Sequence, residues 1–188
     1  MNKRTLVAVG LSAISLAAIL LTEPMYNSSL YAWSLAKIPT VQTRNAEVFS
    51  LWELYSTGGL VVACAAPVVY SLYKTTTERA RAVYYTMVLG AIFLVMTISK
   101  LSYAQARPFW VSSDIEAGSC SSQFGNPSGH SLTAMGMALA VWLDYNQMAL
   151  DGKIYASTWK RLLWLLVAVA FGVSIGWSRF VLGAHTMN

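Results

Sequence analysis

Long apolar runs broken by short polar clusters set the pattern of this chain. Five such runs stand out, at residues 6–21, 57–73, 82–101, 131–149 and 162–177. A membrane-crossing helix needs roughly 20 residues, with about 17 tolerated. The first and last runs sit near that limit. The fourth has a shorter apolar part and must recruit Gly129 and the region around Asp144 to cross. The pattern predicts an all-α polytopic transmembrane helix bundle of five spans, a single membrane domain over residues 1–188. The opening run follows Lys3 and Arg4, as a signal peptide would, but it exceeds the usual apolar core of about 7–15 residues. No small-x-small cleavage site follows in TEPMYNSS, which favours an uncleaved first span.

Composition agrees with a membrane setting. Hydrophobic residues make up 56% of the chain and charged residues 11%, against about 25% charged in a soluble domain; mean hydropathy is +0.50. The net charge of +5 could indicate nucleic acid, but its placement argues against that partner. Lys3 and Arg4, then Lys74, Arg79 and Arg81, then Lys153, Lys160 and Arg161 fall in alternate connections. The positive-inside rule makes their common side cytoplasmic. The other side holds Lys37 and Arg44, offset by Glu23, Glu47 and Glu53. It also holds Lys100, Arg107 and Arg179, which topology leaves unexplained.

Residues 22–56 form the outer connection between the first two runs. Val48, Leu51, Trp52 and Tyr55 stand at helical spacing there, as in a helix at the membrane interface or one packed on the protein itself. Trp110 and Trp177 mark outer span ends, Trp142 and Trp159 bracket a cytoplasmic connection, and Trp164 reads as core. Cys64 lies within a span and Cys120 in an outer loop, so no disulfide framework is implied. There is no zinc-ligand spacing and no nucleotide loop; neither a metal nor a cofactor is expected.

The candidate chemistry gathers on the outer side. In KLSYAQARPFW, Lys100 and Arg107 are seven residues apart, two turns if helical, which puts both on one face. Pro108 pushes Arg107 toward extended backbone, a helix boundary. Long cations at a span end also snorkel to headgroups, which explains one such residue more easily than two. Next comes NPSGHS, where a helix start offers free N–H groups and a positive dipole end to an anion. Gly129 permits close backbone approach, Ser128 adds a hydroxyl, and His130 can carry a proton near neutral pH. Arg179 and His185 stand where the last run leaves the membrane. Both histidines of the chain therefore share one face with Lys100, Arg107 and Arg179. Two imidazoles among three cations describe a phosphate site: one attacks phosphorus and the other protonates the leaving oxygen.

These three pieces resemble the signature of the type 2 phosphatidic acid phosphatase superfamily. That signature reads Lys, six residues, Arg-Pro; then Pro-Ser-Gly-His; then Ser-Arg, five residues, His, three residues, Asp. Here it is carried by Lys100, Arg107 and Pro108, by Pro127, Ser128, Gly129 and His130, and by Ser178, Arg179 and His185, with all spacings kept across residues 100–188. The resemblance implies that His185 is the nucleophile, forming a phosphohistidine, and that His130 is the acid and then the base. It implies that Lys100, Arg107, Arg179, Ser128 and Gly129 bind the phosphate, with no metal. The family's orienting Asp would follow Asn188. The chain accordingly reads as C-terminally incomplete, with a sixth span expected beyond residue 188 and weak activity expected without that Asp.

The function so implied is a membrane phosphatase of lipid metabolism. It would hydrolyse a lipid phosphate monoester or diphosphate, from a phospholipid or an isoprenoid phosphate, on the extracytoplasmic face. RPFW and a cysteine shortly before Pro-Ser-Gly-His echo the glucose-6-phosphatase branch, which makes a sugar phosphatase the alternative. A non-catalytic subunit that binds lipid headgroups is the alternative from another class. Vanadium haloperoxidases share the site but are soluble, and the five apolar runs argue against them.

Overall fold

The computed structural model describes residues 3–118 and 121–187; among residues 3–20 only the side chains of Ile14 and Ala18 are described. The chain is all-α, with no strand among the described residues. In order it forms α1 (Lys3–Arg44), a 3-10 turn (Ala46–Val48), α2 (Phe49–Ser71), α3 (Thr76–Tyr103), the short α4 (Pro108–Val111), α5 (Gly129–Leu150) and α6 (Thr158–Val181). Hydroxyl caps fix three of the starts. Thr75 Oγ1 accepts from the Glu78 N–H, Ser128 Oγ from the Ser131 N–H, and Ser157 Oγ from the Lys160 N–H, each satisfying a donor the helix cannot.

Helices α2, α5 and α6 pack against one another, α3 packs on α2 and α5, and α1 leans on α6. Ala63, Tyr85, Met137 and Ile175 are buried where the four helices meet. Small residues set the spacing, as expected where lipid removes the hydrophobic drive for helices to associate. A Cβ on Gly59 would come within 2.2 Å of Ile175 Cδ1, and one on Gly136 within 2.6 Å of Ile92 Cδ1. Meanwhile large apolar side chains point outward. Val61 is 66% exposed, Leu94 62% and Leu166 62%, the inverse of a water-soluble surface.

Three stretches are long and apolar enough to cross a membrane: Ala46–Ser71, Thr76–Val111 and Thr158–Val181. Helix α5, at 22 residues, has the length, about 33 Å, but it carries Asp144. The fold compensates for that carboxylate. Asp144 Oδ2 lies 3.1 Å from Arg81 Nε and accepts from Tyr85 Oη at 2.9 Å, both from α3.

Some expectations need adjusting. Residues 22–44 continue α1 through Pro24 and Pro39, and residues 49–56 already belong to α2. The outer connection is thus two helix extensions joined by a tight turn. Trp164 is not core: it is 55% exposed and borders an apolar groove between α2, α5 and α6. Cys120 lies outside the described residues, and Cys64 is a half-buried thiol in α2.

Candidate active site

The site is built where α3 stops. Ala104 adopts the left-handed conformation, with φ 45°, and its N–H closes onto the Lys100 carbonyl at 3.0 Å. A non-glycine residue there is uncommon and strained. The turn redirects the chain so that Arg107 is extended (φ −72°, ψ 150°) ahead of Pro108, which begins α4. The expectation that helical periodicity unites Lys100 and Arg107 is therefore corrected. The helix ends at Tyr103, and a turn brings the two side chains together.

Arg107 is 2% exposed and uses its guanidinium as a clamp. Nε donates to the Gln123 carbonyl at 2.6 Å, Nη1 to the Ala184 carbonyl at 3.0 Å, and Nη2 to Ser121 Oγ at 3.1 Å. Lys100 Nζ donates to Gln123 Oε1 at 2.9 Å. Arg179, from α6, donates through Nη1 to Ser56 Oγ of α2 at 3.3 Å.

His185 stands in the segment after α6 and is 4% exposed. Its Nδ1 bonds the Gly125 main-chain carbonyl, and a carbonyl only accepts, so Nδ1 carries the proton. Nε2 then keeps its lone pair, toward which Arg107 Nη1 points from 3.3 Å. Burial, reinforced by Arg107 and Arg179, holds the imidazole pKa well below its ordinary 6.5. The ring is a neutral imidazole whose Nδ1 hydrogen bond fixes its orientation.

Opposite, Ser128 caps α5 and Gly129 begins it. A Cβ on Gly129 would meet Met96 Sδ at 2.7 Å, so glycine lets the helix start lie against α3. A cavity of about 360 Å³ opens between these parts; Lys100, Arg107, Gly129, His130, Arg179 and His185 all line it. Ser128 does not. Its Oγ accepts from Ser131 Oγ at 2.9 Å, and it borders a second recess on the far side of His185.

Other residues of the site carried no motif. Gln123 and Ser121 bind the cations from a loop without periodicity. Ser56 and Glu53 enter from α2, which the signature does not reach. Ser56 stood at the end of the outer connection, just before an apolar run, with no sign of its own.

The outer half of α1 braces this loop system. Gln42 exchanges two hydrogen bonds with the Glu116 main chain, at 2.8 and 3.0 Å. Tyr31 Oη donates to the Ala106 carbonyl at 3.1 Å, and Ser34 Oγ accepts from the Met187 N–H at 3.1 Å. Ile38, Ile115 and Phe180 pack as a small core beneath.

No curated protein and no solved structure matches the chain. A family model does: that of the PAP2 superfamily, over residues 80–188, which include every residue of the cavity contributed by α3, α5, α6 and the loops between them. With more than half its length matched, and the matched part folding around one cation-lined cavity, the chain belongs to the PAP2 superfamily.

Proposed function

We propose that this protein is a membrane phosphatase acting on a lipid phosphate through a phosphohistidine on His185, without a metal. One observation carries the reading: a buried imidazole protonated at Nδ1, that of His185, lines the same cavity as three cations, with Arg107 Nη1 3.3 Å from its Nε2. Lys100, Arg107 and Arg179 bind the phosphate oxygens and offset the charge that builds there in the transition state. The free N–H groups at the start of α5, beginning at Gly129, assist. His185 Nε2 attacks phosphorus as the P–O bond to the alcohol breaks. His130 gives its proton to the departing oxygen, then takes one from the water that cleaves the P–N bond. Ser128 acts by capping α5 rather than by touching substrate.

The lipid assignment rests on the cavity's inner wall. Leu60, Phe93 and Met96 continue it away from the cations, and Phe93 is 43% exposed on the bundle surface. An alkyl chain can follow that wall into the bilayer; a sugar would leave it without a polar partner. The site lies at the end of the bundle remote from Lys74, Arg79, Lys153 and Lys160, and by the positive-inside rule this supports an extracytoplasmic site.

The test is phosphate release from a dialkylglycerol phosphate in detergent with excess chelator, with acid-quenched labelling from a ³²P substrate. Turnover and a label lost in His185→Ala are expected. Activity that vanishes with chelator and returns with magnesium would sink the metal-free mechanism. For topology, single-cysteine variants at Ser113 and Ser157 are treated with an impermeant thiol reagent in intact cells. Labelling at 113 alone is expected; labelling at 157 alone reverses the orientation.

A further inference from the structure

One carboxylate sits where an anion-binding cavity has no obvious use for it. Glu53 of α2 lines the same wall as Lys100, Arg107, Arg179 and the two histidines. Ser56 and Thr57 lie three and four residues further on, so all three face one way. Ser56 is bound by Arg179 and Thr57 borders the cavity, which fixes that face toward the site. Glu53 is exposed, and among the described residues it takes part in neither ion pair, Arg81–Asp144 nor Lys153–Asp151.

Charge counting gives it a purpose. Three cations and one carboxylate line the cavity, and the carboxylate lowers its formal charge by one. A phosphate monoester near neutral pH is close to a dianion. A diphosphate monoester carries about one negative charge more, so Glu53 repels it more strongly. We propose that Glu53 lowers the positive charge of the pocket and so favours phosphate monoesters over diphosphates. The proposal rests on the phosphatase reading and narrows its substrate. In a cavity this small an added like charge lies within about 10 Å of Glu53, where screening by salt is incomplete.

The test is competitive binding of inorganic phosphate and inorganic pyrophosphate, in chelator at pH 7.5, to the wild type, Glu53→Gln and Glu53→Ala. It is read by calorimetry and needs no turnover. Both variants should gain affinity for pyrophosphate by about tenfold more than for phosphate. In hydrolysis, the ratio of kcat/KM for an alkyl diphosphate to that for the alkyl monophosphate should rise by a similar factor. An unchanged ratio in binding, or a gain shared equally by the two anions, overturns the role of Glu53 while leaving the phosphatase intact. Binding without hydrolysis of either ester by the wild type sinks the phosphatase reading instead, and the binding ratio still decides for or against Glu53. If neither anion binds the wild type, both fail.

Discussion

The two ends of the bundle treat buried charge in opposite ways. At one end Arg81 meets Asp144, with side chains 20% and 19% exposed, and Tyr85 completes the set. At the other end Lys100 and Arg107 are buried against a side-chain amide, main-chain carbonyls and a serine hydroxyl. An ion pair cancels itself and leaves nothing for a ligand. Cations held by neutral acceptors keep their field, at a cost in desolvation that a bound anion would offset. One end holds helices together; the other holds charge ready.

The comparison is broken most severely at the nucleophile. His185→Ala should lower turnover by on the order of 10⁴-fold or more and abolish the phosphoenzyme, with the thermal midpoint in detergent shifting far less than the rate. His130→Ala should cost about 10²–10⁴-fold on an alkyl ester, and less on an aryl phosphate whose oxygen leaves without a proton. A phosphoenzyme that survives in His185→Ala would reassign the chemistry.

At the other end the signature reverses. Asp144→Ala strands Arg81 and the Tyr85 hydroxyl, and should cost about 1–3 kcal/mol of stability while the kcat of the folded fraction stays within a few-fold. A kcat loss as large as that of His130→Ala would mean that the two ends are coupled.

Acid distinguishes the ends more gently. His185 is held neutral in the folded protein by burial and two guanidiniums, so its folded pKa lies below the unfolded value near 6.5. Below pH 6.5 the unfolded chain binds a proton that the folded chain refuses, and stability falls as pH falls toward the folded pKa. The melting midpoint should drop between pH 7 and 5, and His185→Asn should flatten that drop. A slope unchanged in the variant would show that His185 is not the group responsible.

The smallest effect should come from Asp151, whose carboxyl is held below its usual range by Lys153 and Gln147 in an exposed connection. Asp151→Asn should change neither the melting midpoint nor turnover measurably, since exposed pairs contribute little.

What the sequence disclosed follows the same division. Spacing within 100–107, 127–130 and 178–185 located the chemistry, because covalent reach and helix starts constrain those positions locally. The helix type and most of the bundle were legible from apolar runs. The extension of α1 through two prolines was not, since each proline reads as a break until tertiary contacts outweigh it. Nor were Gln123, Gly125 and Ser56: the first two act wholly or partly through main-chain carbonyls, which every residue carries, and Ser56 through a lone hydroxyl. The Gly125 carbonyl matters most here. It gives the Nδ1 proton of His185 a partner of its own.

The brace formed by α1 also has a consequence for biosynthesis. The hydrogen bond between Met187 and Ser34 joins residues 153 positions apart, and Gln42 reaches 74 residues ahead to Glu116. A chain emerging from the ribosome inserts its first helix long before the partners of that helix exist. The loop that carries Arg107 can settle only after α6 has crossed and the segment behind it has folded back. Hydrolytic competence therefore arrives last, and a nascent or half-inserted chain should bear the cations without the reaction.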